Sequence, residues 1–185
     1  MSATVDVLTS GYVNDHVASS VVLVRENDIV IVVDPGMVAS RDRIVGPLHA
    51  LGVHEDDVTD VIFSHHHPDH TLNAALFTRA RFHDVWAIYV DDNWGDRTDV
   101  IEGAPSVSLL DTPGHTREDI STLIQTEEGL VVCTHLWWSL EGPEVDPLAV
   151  DQVALEASRA AVLALKPVTI IPGHGPAFSP RELAT

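Results

Sequence analysis

A run of metal-ligand residues directly after an apolar strand constrains the fold more than any other stretch of this chain. A short apolar segment leads without a gap into SHHHPDH at residues 64–70. On extended backbone, residues two apart point to the same side, so His65 and His67 can grip one ion together. Asp69 and His70 follow where the chain turns and can face a second ion. Imidazole and carboxylate are ligands that borderline metals such as zinc favour, so the stretch predicts a metal site at a strand end.

Two further histidines stand in turn sequences far along the chain. His115 lies in TPGHT at residues 112–116, and His174 lies in PGHG at residues 172–175. In this order, and spread over nearly the whole chain, the three motifs together resemble those of the metallo-β-lactamase-fold hydrolases. The resemblance implies an α/β fold, a four-layer αβ/βα sandwich with its site at one edge between the two sheets.

The same resemblance implies the ligands of both ions. Zinc is the expected metal, as one or two ions, with manganese and iron as alternatives. Three histidines are implied for the first ion and two histidines with an aspartate for the second, namely His65, His67 and His115, and Asp69, His70 and His174. Asp69 is also the candidate catalytic residue, because a carboxylate beside the ions can orient a bound hydroxide and take up its proton.

One position departs from the family pattern. Most relatives carry a bridging Asp after the second hairpin, whereas this chain has His135 there. A histidine brings no negative charge and cannot bridge as a carboxylate does, so it is predicted as a metal ligand that serves one ion alone or leaves a weaker second site. The alternative is a core or hydrogen-bonding histidine. Cys133 is a further candidate ligand, although a lone cysteine is more commonly a small buried hydrophobic residue.

Several neighbours of the motifs have two interpretations each. Asp34 ends a strand and resembles a family Asp that holds a ligand histidine from behind, but it could equally be a turn residue. Trp137 and Trp138 are candidates for pocket walls or for the core. His66 lies between two ligands and is expected to point away from the site.

The order of elements agrees with two sheets packed face to face. β-Branched and apolar runs predict strands, and helical spacing with capping residues predicts helices. The predicted strands are 5–12, 18–24, 29–33, 58–63, 85–90, 107–110, 120–125, 130–135 and 168–171. Strands 18–24 and 29–33 are predicted to form a hairpin, and strands 120–125 and 130–135 a second one. The predicted helices are 40–51, 71–77 and 146–165, the last one capped by Asp146, and 91–103 is predicted as a surface loop. One domain, residues 1–185, accounts for the whole pattern.

The charge and the N-terminus restrict partners and location. Ten Lys and Arg against 28 Asp and Glu give a net charge of −18, which repels phosphate backbones and argues against nucleic acid as a partner. No apolar stretch approaches the length of a membrane span, and the first residues lack a secretion signal, so a cytoplasmic protein is expected. A single cysteine excludes an intrachain disulfide. The sequence leaves open whether the chain forms a homodimer.

These features together predict a metal-dependent hydrolase. The expected chemistry is attack by a metal-bound hydroxide on a small-molecule ester, lactone, thioester or phosphodiester. Two alternatives stay open: a metal-binding domain with little or no catalysis, which the histidine at position 135 favours, and a compact nuclease of the same fold.

Overall fold

The computed structural model describes residues 2–184 of the chain. Fourteen strands and three α-helices form within these residues. The strands are β1 Thr4–Thr9, β2 Tyr12–Val13, β3 Val17–Ala18, β4 Val21–Glu26, β5 Ile29–Val33, β6 Asp60–Ile62, β7 Arg81–His83, β8 Ala87–Val90, β9 Asn93–Asp96, β10 Val100–Ile101, β11 Ala104–Asp111, β12 Ile120–Gln125, β13 Leu130–Thr134 and β14 Thr169–Pro172. The α-helices are α1 Asp42–Ala50, α2 Pro68–Thr71 and α3 Gln152–Ala164.

The first sheet has seven strands in the order β1-β4-β5-β6-β7-β8-β9. The predicted hairpin is confirmed, since β4 and β5 pair antiparallel. The next two neighbours, β6 and β7, run parallel to β5. The segments that follow β5, β6 and β7 therefore all leave the sheet at the same edge.

The second sheet has five strands in the order β10-β11-β12-β13-β14. The predicted second hairpin is also confirmed, because β12 pairs antiparallel with β13. β11 is antiparallel to β12, and β14 is parallel to β13, so β11, β13 and β14 run in one direction. Their carboxyl ends meet at one edge of this sheet. The remaining strands, β2 and β3, form a small separate hairpin.

Three groups of buried apolar side chains separate four layers. The middle group joins the two sheets and contains Ile31 of β5 and Ile124 of β12. A second group lies between the first sheet and α1 and contains Val32 and Leu48. A third group lies between the second sheet and α3 and contains Val162. Adjacent residues of β5 enter different groups because successive strand side chains point to opposite faces. The fold is the predicted four-layer αβ/βα sandwich.

Helix α3 begins later than the sequence indicates. Asp151 caps it, accepting a hydrogen bond from the Ala154 backbone N–H at 3.0 Å. Asp146 and Pro147, the predicted start, lie in the preceding loop, and the Asp146 carboxylate binds a histidine instead. The Asp-Pro pair is a valid local start signal. A tertiary hydrogen bond outweighs it here.

Two other predictions about local structure are wrong. The polar segment 91–103 contains β9 and β10, and β8 with β9 closes the first sheet as an antiparallel edge hairpin. Such a hairpin needs few apolar residues because one face meets solvent. The predicted helix 71–77 is divided between α2 and a 3₁₀ turn at Ala74–Leu76, and Leu72 between them is 61% exposed. None of the helices formed by residues 2–184 is long and apolar enough to cross a membrane.

Candidate metal centre

The predicted ligands follow strand ends at one edge of the molecule. The segment 64–70 comes after β6, while His115, His135 and His174 come after β11, β13 and β14 respectively. Because those three strands run in one direction, their following residues meet at a single edge. Residues 68–71 form the one-turn helix α2, which begins at a proline whose missing N–H is not needed in the first turn.

Three histidines form the first potential ion site. The ligand atoms of His65, His67 and His115 all lie within 4.8 Å of one another. His115 Nε2 and His67 Nδ1 are 3.1 Å apart, and the rings of His65 and His67 have centroids 4.6 Å apart. The three predicted ligands of one ion are therefore adjacent in the fold.

A carboxylate and two histidines form the second potential ion site. Asp69 Oδ2 lies 3.5 Å from His70 Nε2 and 3.5 Å from His174 Nε2. The other ring nitrogen of His174 donates to the Ala18 backbone carbonyl at 2.9 Å, which directs Nε2 toward Asp69. The structure thus also brings together the predicted ligands of the second ion.

His135 lies between the two groups. Its ring centroid is 4.1 Å from that of His115, 4.7 Å from that of His65 and 4.8 Å from that of His70. Its Nε2 is 3.0 Å from His174 Nε2. Gly173 makes room for this ring, since a Cβ at position 173 would come within 2.3 Å of His135 Cδ2. The position of the usual bridging carboxylate is therefore occupied by a buried imidazole.

Cys133 has no part in these groups. Its side chain belongs to the apolar group between the two sheets, and burial raises the pKa of its thiol far above the ordinary value. A buried thiol of this kind is a poor zinc ligand and behaves as a small hydrophobic side chain. Of the two candidates on this segment, only His135 adjoins the other ligands.

The donor atoms fit one or two divalent ions. Among residues 2–184, three buried ring nitrogens of this cluster have no hydrogen-bond partner: His65 Nε2, His70 Nε2 and His135 Nδ1. An unpaired buried polar atom costs about 1–3 kcal/mol. An ion that accepts the lone pairs of these nitrogens removes that cost, so the orphaned atoms are themselves evidence for a metal site.

Burial also keeps several of the rings in their ligand form. It lowers the pKa of His65 and of His135 well below 6.5, with the neighbouring histidines acting in the same direction. It lowers the pKa of His174 to about 4. The pKa of His115 is lowered by burial too, although the Asp146 carboxylate acts against the shift. Neutral imidazole is the form that binds a metal.

Two carboxylates accept hydrogen bonds from histidines that are predicted metal ligands. His70 Nδ1 donates to Asp34 Oδ2 at 2.8 Å, and His115 Nδ1 donates to Asp146 Oδ2 at 2.7 Å. Such a bond fixes the tautomer, so that Nε2 keeps its lone pair for an ion. Of the two interpretations of Asp34, the structure favours the supporting carboxylate. The sequence did not predict this role of Asp146, because the residues around it have the pattern of a helix start and its partner, His115, lies 31 residues away.

A third buried carboxylate was missed as well. Asp119 Oδ1 lies 4.0 Å from His65 Nδ1, and the same ring nitrogen is 3.0 Å from Ser64 Oγ. Burial raises the pKa of Asp119 to about 7, although hydrogen bonds from the backbone and hydroxyl of Thr116 favour the charged form. The only available sequence signal was its place directly after the TPGHT motif.

Other predicted neighbours divide between the site and the core. Trp138 adjoins the site: its ring centroid is 6.0 Å from that of His174, and its Nε1 donates to Asp146 at 3.0 Å. Trp137 is buried against Phe178 and belongs to the core under α3. His66 points away, as predicted, and stacks on Trp86.

His83 also lies away from the described ligands. Its Nε2 is 2.6 Å from the buried Asp60 carboxylate. Burial works against the charged form of Asp60, but hydrogen bonds from His83, Arg81 and Thr59 outweigh it and lower its pKa. This group stabilises the first sheet rather than the metal site.

A cavity of about 420 Å³ opens beside the second ion site and includes His174 in its lining. Tyr12 and Val13 of β2 and Leu140 from the loop after β13 provide apolar walls, and Glu141 contributes a carboxylate. The volume is in the range of small-molecule binding sites.

Comparison with known proteins agrees with this geometry. The model of the metallo-β-lactamase superfamily matches residues 14–176. Metallo-β-lactamase domain-containing protein 1 of Xenopus laevis is 36% identical over 189 aligned residues, which cover 95% of this chain and 81% of that protein. The human protein of the same name is 34% identical over 158 residues, and the match spans 59% of its length.

Solved structures show the same fold. A Thermotoga maritima protein described as a metallo-β-lactamase is 24% identical, with a TM-score of 0.74 over 97% of this chain and 100% of that one. An N-acyl homoserine lactone hydrolase, with N-hexanoyl-L-homoserine bound at its catalytic metal centre, is 22% identical, with a TM-score of 0.67 over 94% of this chain and 92% of that one. The family match covers most of the chain, and the chain belongs to the metallo-β-lactamase superfamily, whose members are generally metal-dependent hydrolases.

Proposed function

We propose that this protein is a metal-dependent hydrolase of a small uncharged ester or lactone. The observation that carries the proposal is the convergence of two ligand triads and three orphaned ring nitrogens at one edge. When bound there, one or two zinc ions, or manganese or iron in their place, would lower the pKa of a coordinated water to roughly 7 and polarise the target carbonyl.

The residues of the chain have separate tasks in this proposal. The six predicted ligands would hold the ions, and His135 would add a neutral seventh donor. Asp69 acts as the catalytic residue: its carboxylate would help to hold an ion with His70 and His174, and it takes the proton of the attacking water. Water then adds to the carbonyl carbon, the carbon–oxygen bond of the ester breaks, and the proton passes from Asp69 to the leaving oxygen.

Charge and shape favour an uncharged substrate among the four predicted classes. The net charge of −18 repels a phosphodiester, and a carboxylate also lies at the cavity beside His174. The apolar side chains of Tyr12, Val13 and Leu140 fit an alkyl or acyl group. The N-acyl homoserine lactone hydrolase that shares the fold acts on a lactone, so lactones are the first substrate class to assay.

The test combines metal analysis with a substrate panel. The panel contains a p-nitrophenyl ester, a γ-lactone, a thioester and bis-p-nitrophenyl phosphate. We expect turnover of the ester or the lactone that a chelator abolishes and zinc or manganese restores. His67→Ala should lower kcat/KM by more than about 100-fold, since even outer partners of metal ligands are worth 10–100-fold. His16→Ala is the matched control, because His16 is exposed and belongs to neither triad.

Two results would contradict the proposal. Equal turnover by His67→Ala and His16→Ala would place the reaction elsewhere. Full metal occupancy without turnover of any substrate class would instead indicate a metal-binding domain without catalysis, the function that His135 in place of a bridging carboxylate also permits.

A further inference from the structure

A second group of metal-ligand side chains lies on the surface, apart from the site at the sheet edge. Helix α1 ends at Ala50, and Gly52 then adopts a φ of +75°, which reverses the chain. The reversal brings His54 and Glu55 back beside His49, in the last turn of the helix. His49 Nε2 lies 2.7 Å from Glu55 Oε2.

The three side chains are close enough to share one ion. The rings of His49 and His54 have centroids 4.9 Å apart, and one ligand atom from each of the three residues lies within 4.8 Å of the other two. Zinc ligands stand about 2.0–2.1 Å from the ion, so small rotations bring the donors into position. Such rotations are available, because the side chains of His49 and Glu55 are 43% and 29% exposed.

We propose that His49, His54 and Glu55 form a peripheral binding site for a divalent transition metal such as zinc or nickel. Two imidazoles and one carboxylate suit these borderline ions, and three protein ligands leave positions for water. The adjacent Asp56 and Asp57 add negative charge, and the whole chain is strongly acidic. Both favour the approach of a cation.

The site is independent of the proposed hydrolase. Helix α1 packs on the outer face of the first sheet, whereas the two triads lie at the edge between the sheets. The alternative is an ordinary surface pair between His49 and Glu55, in which the carboxylate has a pKa lowered chiefly by the hydrogen bond from His49. A simple pair needs only the side chains of His49 and Glu55, so the His54 side chain is the one that separates the two interpretations.

The test uses the tag-free chain of 185 residues. Retention on immobilised Ni²⁺ and zinc stoichiometry by equilibrium dialysis are compared for the wild type, His54→Ala and His16→Ala. We expect His54→Ala to elute at lower imidazole and to bind one zinc fewer, and His16→Ala to match the wild type. Ester or lactone turnover should be unchanged in His54→Ala. Unchanged turnover would show that the zinc ion lost in this variant is not one held by the two triads.

A second variant tests whether His54→Ala changes zinc binding only indirectly. Glu55→Gln keeps the size of the side chain and should weaken zinc binding at this site by at least tenfold with an unchanged midpoint of thermal unfolding in the metal-free protein. If His54→Ala and Glu55→Gln both retain the wild-type zinc stoichiometry and nickel retention, the group is a surface ion pair and the proposal is wrong.

Discussion

The support of His70 by Asp34 gives the sharpest test of how this site holds an ion. Asp34 accepts two hydrogen bonds, one from His70 Nδ1 at 2.8 Å and one from the Ser64 backbone N–H at 2.7 Å. Asp34→Asn keeps the shape of the side chain. It also suits the backbone, because Asp34 has a φ of +51°, a region in which Asn is common. An amide has only one acceptor oxygen, so it can accept a hydrogen bond from only one of the two donors. Its NH₂ group, itself a donor, then faces the other one.

The magnitude follows from the bond that is lost. A hydrogen bond to a charged group contributes about 1.5–3 kcal/mol. If the amide NH₂ faces His70, two donors meet, and the ring proton must move to Nε2, the atom that needs its lone pair for an ion. Losing an outer partner of a ligand histidine weakens metal affinity by about 10–100-fold, or about 1.4–2.7 kcal/mol, which agrees with the hydrogen-bond figure.

Competition with a chromophoric chelator measures zinc affinity directly, without reference to activity. The matched control is Asp91→Asn, which makes the same chemical change at an exposed position with a φ of +53°. We expect Asp34→Asn to bind zinc at least tenfold more weakly than Asp91→Asn. Equal affinities would refute the reasoning, because they would mean that the Asp34–His70 hydrogen bond has no effect on the ion.

Three further changes test other parts of the structure. Phe77→Ala removes a fully buried ring and should lower the free energy of unfolding by about 3–5 kcal/mol in urea titrations; a loss below 1 kcal/mol would contradict its place in the core. Gly173→Ala should force the His135 ring to move by about 1 Å and weaken zinc binding, while Gly46→Ala, with open space around its Cβ, should bind zinc like the wild type. The lowered pKa of Asp60 means that its contribution to stability is present above its ordinary value of 3.8 and is lost as the pH falls below it. Asp60→Asn should therefore flatten the fall of unfolding free energy below pH 3.8, and an unchanged slope would refute this assignment.

The parts of the site that the sequence predicted are those with a local pattern. The segment 64–70 carries its candidate ligands at fixed spacing, and His115 and His174 stand in turn motifs that resemble those of the family, so the resemblance implied all of them as ligands. Asp34 could be proposed because it directly follows a strand and resembles a family position.

The parts that the sequence did not predict depend on contacts between distant segments. Asp146 has the local signature of a helix cap, and only the folded chain shows that His115 uses its carboxylate. Asp119 has no distinctive local pattern. Likewise, the polar residues of β9 indicate a loop until β8 is seen beside them, because the hydrogen bonds of an edge hairpin replace the missing apolar side chains.

The buried carboxylates explain how the site can do without a bridging aspartate. His135 is neutral and stands where most relatives carry the negative charge of a bridging Asp. Each triad is nevertheless served by two carboxylates: Asp119 and Asp146 stand behind the first, and Asp69 and Asp34 stand in and behind the second. A nearby cation favours the charged form of a carboxyl group, so an ion in the first triad would lower the raised pKa of Asp119. The ionised Asp119 carboxylate would then add a negative charge beside the ion. Two carboxylates would balance the charge of one divalent ion at each triad. With His135 in place of the usual Asp, the site therefore lacks a ligand that could contact both ions, but it keeps enough carboxylates to balance their charge.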